Sequence, residues 1–263
     1  MSPSRVDKQS GIASSRRTAS LRETTNYLCV FIQPTKLMVS HKHRFIFIHI
    51  PKTAGTSIED AFDHFSEFKG RGGQDHRTIR DLEPLRPEYF LTPDASRYRD
   101  LGRRYANRLR NTKNPANRIY VNADQYQDYF KFSFVRNPWS RAVSWYKNVI
   151  RDEIHRAEFK IPENISFKEF IIDYPDNWGL KPQTHWLKSF NGDYPLDFVG
   201  RFESLESDFK EACAKIGSPP NISLPHKIKG NGVDYRTFFD QESVEILAER
   251  YSEEIDLFGY SFD

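Results

Sequence analysis

Apolar positions along this chain form two kinds of pattern, short unbroken runs and runs spaced for a helix, and the two alternate. Phe45-Ile46-Phe47-Ile48-His49-Ile50 is apolar except at His49, as expected of a strand buried on both faces. After the polar stretch Pro51 to Ser57, Ile58, Ala61, Phe62 and Phe65 recur at i, i+3, i+4 and i+7. This predicts a strand over 44–50, a tight loop and a helix over 56–66. The pattern returns at Phe132-Ser133-Phe134-Val135, predicting a strand over 130–135. Asn137 is suited to capping a helix and Pro138 to its first turn, and Ala142, Val143, Tyr146 and Val149 mark that helix over 138–150. Short helices are expected at 167–172 and 183–190, a strand at 197–201, and longer helices at 204–216 and about 240–257. Glycines and prolines break 67–118, apart from a helix marked by Leu101, Tyr105 and Leu109. Apolar strands alternating with helices indicate an α/β fold, a three-layer sandwich with a central parallel sheet flanked by helices.

The two strand–turn–helix units carry candidate chemistry at their turns. In the first, Lys52 brings a positive charge, and Thr53, Thr56 and Ser57 bring hydroxyls. Backbone N–H groups are unpaired where a helix begins, which favours an anion such as a phosphate. The order differs from the nucleoside-triphosphate loop, because Lys52 precedes Gly55 and no earlier glycine opens the turn. In the second, Arg136 ends the strand, where a guanidinium can fork onto a phosphate. Ser144 lies two turns into the following helix, and its spacing alone does not say whether it reaches the same ligand.

Pro51-Lys52-Thr53-Ala54-Gly55-Thr56-Ser57 after a strand resembles the 5′-phosphosulfate loop of sulfotransferases that use 3′-phosphoadenosine 5′-phosphosulfate (PAPS). Arg136-Asn137-Pro138, with Ser144 eight residues beyond the arginine, is similar to their 3′-phosphate motif; Arg141 is a further candidate there. Phe198 to Phe209, Pro182-Gln183-Thr184 and the ending Tyr251 to Tyr260 also look like the carbohydrate-type branch, sulfotransferase family 2. The resemblance runs from about His43 to Asp263 and implies a P-loop-like fold. It implies that Lys52, Thr53, Ala54, Gly55, Thr56 and Ser57 hold the 5′-phosphate, with Lys52 also countering charge on the leaving oxygen. It further implies that Arg136 and Ser144 hold the 3′-phosphate, and that a histidine faces the donor sulfur. His76, in Gly73-Gln74-Asp75-His76, matches that place as catalytic base, with His185 in reserve. A late loop bearing Lys227 and Lys229 is a loose match to one that closes over the nucleotide. The scheme requires no metal. Its acceptor is a glycan or glycosylated small molecule. A kinase-like phosphotransferase and a non-catalytic binder of nucleotide or polyanion are the competing readings.

Composition narrows the partners. The 263 residues suffice for one large domain. With 39 basic and 36 acidic side chains the net charge is +3, so the chain is not a polyelectrolyte. Charge is uneven, however: from Arg97 to Arg118 basic residues face only Asp100. That stretch reads as a solvated helix face or as a track for an anionic acceptor. No interleaved aromatic ladder supports nucleic acid. Cys29 and Cys213 form neither a metal pair nor a disulfide framework. No apolar run reaches the length of about 18 residues needed for a spanning helix, so a cytoplasmic location is expected. Residues 1–37 are rich in Ser, Arg and Thr without periodicity. They are expected to be a disordered or non-native extension, with Met38 the physiological start and 38–263 the sulfotransferase domain.

Overall fold

The computed structural model describes residues 38–263, apart from 67, 69, 92–94, 110, 218–221 and 226–232. The expected extension over 1–37 and the loop bearing Lys227 and Lys229 therefore lie outside the described residues. Four strands form one sheet: β1 (Val39–Ser40), β2 (Phe45–Ile48), β3 (Phe130–Val135) and β4 (Phe198–Arg201), paired in that order. β2, β3 and β4 are parallel, with Phe45 opposite Phe130 and Phe132 opposite Phe198. The sheet is mixed rather than wholly parallel, because β1 pairs antiparallel with β2. Only a few residues separate the two, and a connection that short can join only antiparallel strands. Arg44, at φ 52, makes the turn, and Ser40 Oγ accepts from the His43 N–H at 3.0 Å.

Eleven α-helices surround the sheet among the described residues. They are α1 (Gly55–Ala61), α2 (Ile79–Leu82), α3 (Ala95–Leu109), α4 (Ala123–Asp128), α5 (Pro138–Arg151) and α6 (Glu153–Phe159), then α7 (Phe167–Asp173), α8 (Thr184–Leu187), α9 (Leu205–Ile216), α10 (Gln241–Arg250) and α11 (Ser252–Phe258). Strand periodicity divides the core. Phe45, Phe47, Phe132 and Phe134 face α1 and α9 through Ile58, Phe62, Phe209 and Ala212. Ile46, Ile48 and Val135 face α2 and α8 through Ile79, Leu82, Trp186 and Leu187. Helices thus cover both sheet faces, as the unbroken apolar runs require. A third cluster joins Trp139, Val143, Trp145 and Val149 of α5 to Phe167, Phe170 and Ile171 of α7 and Leu247 of α10. Each large side chain so buried contributes about 1.5–3 kcal/mol.

The differences from expectation have local causes. The helix expected over 56–66 stops at Ala61, and Asp63, at φ 62, turns the chain away. The last helix divides at Tyr251, whose ring is wholly buried and whose hydroxyl donates to the Leu180 carbonyl at 2.7 Å. In α3 the expected apolar stripe faces solvent, with Tyr105 and Leu109 67% and 71% exposed. That helix is instead anchored by buried Arg104, which donates to the carbonyls of Arg80 and Glu83. No helix among the described residues is long and apolar enough to cross a membrane.

Candidate active site

A cavity of about 380 Å³ opens at the carboxyl ends of the three parallel strands, where open α/β sheets bind ligands. Lys52 follows β2, Arg136 follows β3 and Phe202 follows β4, and all three line it. The loop after β2 is tightly wound: Lys52 and Ala54 adopt φ 71 and φ 69, a left-handed conformation that costs a non-glycine residue about 1–2 kcal/mol. Thr53 Oγ donates to the Ile50 carbonyl at 2.9 Å and fixes the turn from beneath. Gly55 admits the His49 ring: a Cβ there would lie 1.9 Å from His49 Cδ2.

Two cations meet in this cavity without an acid. Lys52 Nζ donates to Asn148 Oδ1 at 3.3 Å. Burial, then Arg136 and Arg151, brings its ammonium down to about 8. Arg136 donates to Ser140 Oγ at 3.0 Å and to the Lys52 carbonyl at 3.2 Å, and its guanidinium lies 4.0 Å from the Phe202 ring centroid. Burial is the main cause that brings it down to about 10. Glu203, the nearby acid, accepts instead from the Asn137 N–H at 2.7 Å and the Tyr260 hydroxyl at 3.0 Å. Gln183 holds the Arg136 backbone from behind: its Oε1 accepts from the Arg136 N–H at 2.9 Å, and its Nε2 donates to the Arg136 carbonyl at 2.8 Å. Among the described residues neither buried positive group forms an ion pair, which favours an anion between them.

His49 and His76 also line the cavity, and Glu59, which does not, pairs with His49. His76 Nδ1 lies 3.0 Å from the His49 carbonyl. A carbonyl only accepts, so Nδ1 carries the proton and Nε2 of the neutral ring is bare. The two rings lie 4.2 Å apart, and Trp178 packs edge-on against His76 at 4.9 Å. Burial holds His76 and His49 down to about 3, below the near-neutral value expected of a base, so His76 stays neutral throughout the physiological range. His49 Nδ1 is 3.0 Å from Glu59 Oε1, which also accepts from the Asp75 N–H, and burial pushes the Glu59 carboxyl up to about 8.

The profile of the sulfotransferase family matches residues 35–261, nearly all of the described chain. The chain belongs to the sulfotransferase family. Carbohydrate sulfotransferase 14 of Danio rerio is 25% identical over 85% of this chain and 62% of its own length. The Homo sapiens protein of that name is 25% identical over 72% of this chain and 48% of its own length. The chain thus spans about half to three-fifths of these relatives. The crystal structure of a sulfotransferase from Alicyclobacillus acidocaldarius covers 82% of this chain and 96% of its own, at 18% identity and a TM-score of 0.41.

In this chain, Lys52, Ala54, Gly55, Thr56, His76, Arg136 and Ser144 all line the cavity. Two turns of helix carry Ser144 into its wall. Thr53 and Ser57 do not line it and are buried; the Thr53 hydroxyl is already committed to Ile50. Arg141 is wholly buried, donates to the carbonyls of Gly179 and Lys181, and takes no part in the lining. The reserve histidine, His185, packs on Trp186 and does not line the cavity. Sequence reasoning missed Asn148, Phe202 and Trp178, which line the cavity, and gave His49 no place in it. Asn148 had a signal, since it lies one turn beyond Ser144 on the same helix face. Glu59 had none, because its pairing with His49 depends on the bend of the loop. No group of three or more His, Cys, Asp or Glu side chains arranged to hold a metal occurs among the described residues.

Proposed function

We propose that this chain transfers a sulfuryl group from PAPS to a hydroxyl of a carbohydrate. The observation that carries the reading is the convergence of Lys52, Arg136 and Ser144 with a neutral, Nδ1-protonated His76 in one cavity. Arg136 and Ser144 take the 3′-phosphate, the group that distinguishes this donor from ATP. Lys52 and the backbone of residues 53–57 take the 5′-phosphate. In transfer, the acceptor oxygen attacks sulfur as the bond from sulfur to the bridging oxygen breaks. The acceptor proton passes to His76 Nε2, and the negative charge left on the bridging oxygen is met by the Lys52 ammonium. As in phosphoryl transfer, positioning and charge stabilisation carry most of the catalysis. Asn148 holds Lys52 in place from α5. The acceptor class is suggested by the names of the relatives, of which this chain spans only part.

A transfer assay with labelled PAPS and a panel of mono- and oligosaccharides tests the reading. Label should pass to at least one sugar and be lost in Lys52→Ala and His76→Ala. Transfer to no member of the panel, despite tight donor binding, would contradict the carbohydrate acceptor. A cytoplasmic location and a domain spanning 38–263 belong to the same proposal. Fractionation tests the first. Mass spectrometry of the native protein tests the second, where abundant peptides from residues 5–30 would count against a start at Met38.

A further inference from the structure

Glu59 of α1 is wholly buried and does not line the cavity, and the transfer scheme gives it no part. A carboxyl group costs free energy to bury. Burial pushes this one up to about 8, and its Oε2 is buried without a hydrogen-bond partner among the described residues. Leucine would fill much the same space without that cost, so packing does not account for an acid here. The contacts of its other oxygen do. Oε1 lies 3.0 Å from His49 Nδ1 and accepts from the Asp75 N–H at 3.0 Å. With that oxygen accepting from Asp75, the proton shared with His49 sits on Nδ1.

These two contacts lie on either side of His76. Asp75 immediately precedes it in the chain, and the His49 carbonyl accepts from its Nδ1 at 3.0 Å. One oxygen of Glu59 thus ties the chain just beyond β2 to the loop that carries His76. Other bonds hold that loop from further off. His64 Nε2 and Asn114 Nδ2 donate to the Gly73 carbonyl at 3.2 and 3.1 Å, and Arg77 pairs with the Asp75 carboxylate. None of these three reaches His49. Glu59 also sits one turn beyond Gly55 and Thr56, which open α1 in the cavity wall. The helix that enters from the Lys52 loop therefore holds the His76 loop as well. His76 needs such a hold. It takes a proton at Nε2 only while Nδ1 keeps its own, and an imidazole without partners exchanges between the two tautomers. The bond to the His49 carbonyl selects the useful one, and it persists only while His49 and the loop keep their spacing.

We propose that Glu59 is a positioning residue for the transfer: through Oε1 it fixes the spacing between His49 and the His76 loop, and so keeps His76 in the tautomer whose Nε2 is bare. This deepens the proposed function and rests on it. The role calls for an acceptor oxygen at Oε1 and not for a negative charge. Glu59→Gln keeps that oxygen and should preserve the role; Glu59→Leu keeps the bulk and should abolish it.

Long-range proton–nitrogen correlation spectra of the nitrogen-labelled full chain test this near neutral pH, with the two rings assigned from His49→Gln and His76→Gln. In the wild type and in Glu59→Gln, both rings should be protonated at Nδ1 alone. In Glu59→Leu, His76 should show both tautomers in exchange. Transfer from labelled PAPS to the sugar found by the panel gives the second readout. There kcat should fall about 10- to 100-fold in Glu59→Leu and stay within about threefold in Glu59→Gln, as a displaced or a retained base would give. Affinity for 3′,5′-adenosine bisphosphate should be unchanged in both. A Glu59→Leu protein that unfolds at lower temperature yet keeps the His76 tautomer and kcat would overturn the proposal, leaving Glu59 a residue of the fold alone. Loss of both in Glu59→Gln would overturn it too, in favour of a role for the charge. Should Glu59→Leu not fold, the wild type decides: His49 protonated at Nε2, or an Asp75 amide that exchanges with deuterium as fast as an exposed one, breaks the link. The spectra need no acceptor, so a failure to sulfate any sugar counts against the proposed function and is separable from a failure of Glu59.

Discussion

Arg136 is the residue on which donor recognition turns. Its guanidinium is fixed by Ser140, the Lys52 carbonyl and the Phe202 ring, and it forms no ion pair among the described residues. Removing such a charged partner should weaken bisphosphate binding about 10- to 100-fold. Lys52 should impose an alkaline limit. Its protonated form is the useful one and its ammonium sits at about 8 in the free protein. We therefore expect kcat/KM to fall as pH rises through about 8. Lys52→Arg, charged throughout, should lose that limb at whatever rate remains; an unchanged limb would assign it to another group. His76 should impose no acid limit between pH 5 and 7, since burial keeps it neutral down to about 3. His76→Ala should lower kcat about 10²- to 10⁴-fold while leaving bisphosphate affinity intact. An equal loss of both would make His76 a structural residue.

At the scale of elements, the site is a set of strand ends held in register. Gly55 opens α1, and its missing side chain is what lets the His49 ring lie against it, while His49 is in turn held by Glu59. Gly55→Ala should therefore destabilise the fold by about 1–3 kcal/mol, seen as a lower denaturation midpoint. Much of that loss should be recovered when His49→Ala is added. Additive losses would show that the clash is elsewhere. The strand–turn–helix units were legible in the sequence because the signals at Phe45 to Ile50, Asn137 and Pro138 are local. Lys52 and Arg136 were legible for the same reason, each occupying a fixed place in such a unit, whereas Ser144 was picked out by the family resemblance and not by its spacing. What was not legible depends on contacts far along the chain. Gln183 clamps Arg136 across 47 residues, and Glu203 caps the same turn across 66. The helix α2 is four residues long and rests on a capping box between Thr78 and Asp81, too short to show a period. The spacing of Leu101, Tyr105 and Leu109 gave the helix, but not that Tyr105 and Leu109 face solvent while a buried arginine anchors α3.

Across the whole molecule, buried titratable groups link stability to pH. Burial lowers His49, His76 and His185 to about 3. A group whose folded value is depressed contributes stability above its unfolded value, which it loses as pH falls through the folded one. These histidines should therefore destabilise the fold as pH drops from about 6.5 toward 3. Glu59, pushed up to about 8, acts in the opposite sense, favouring the fold at low pH and losing that contribution as pH rises from about 4.5 to 8. His185 lies outside the cavity, so His185→Gln gives the clearer readout. Its urea stability should decline less steeply on acidification than that of the wild type, by the uptake of about one proton. An identical slope would show that His185 is not buried neutral. The same molecule-wide arrangement, three strand ends gathered around two cations that form no ion pair among the described residues, is the basis for the donor assignment. The most direct test is calorimetric titration of 3′,5′-adenosine bisphosphate against ADP, in the wild type and in Arg136→Ala. The account predicts tight binding of the bisphosphate, weak or no binding of ADP, and loss of the difference in the variant. Equal or stronger binding of ADP by the wild type would contradict it.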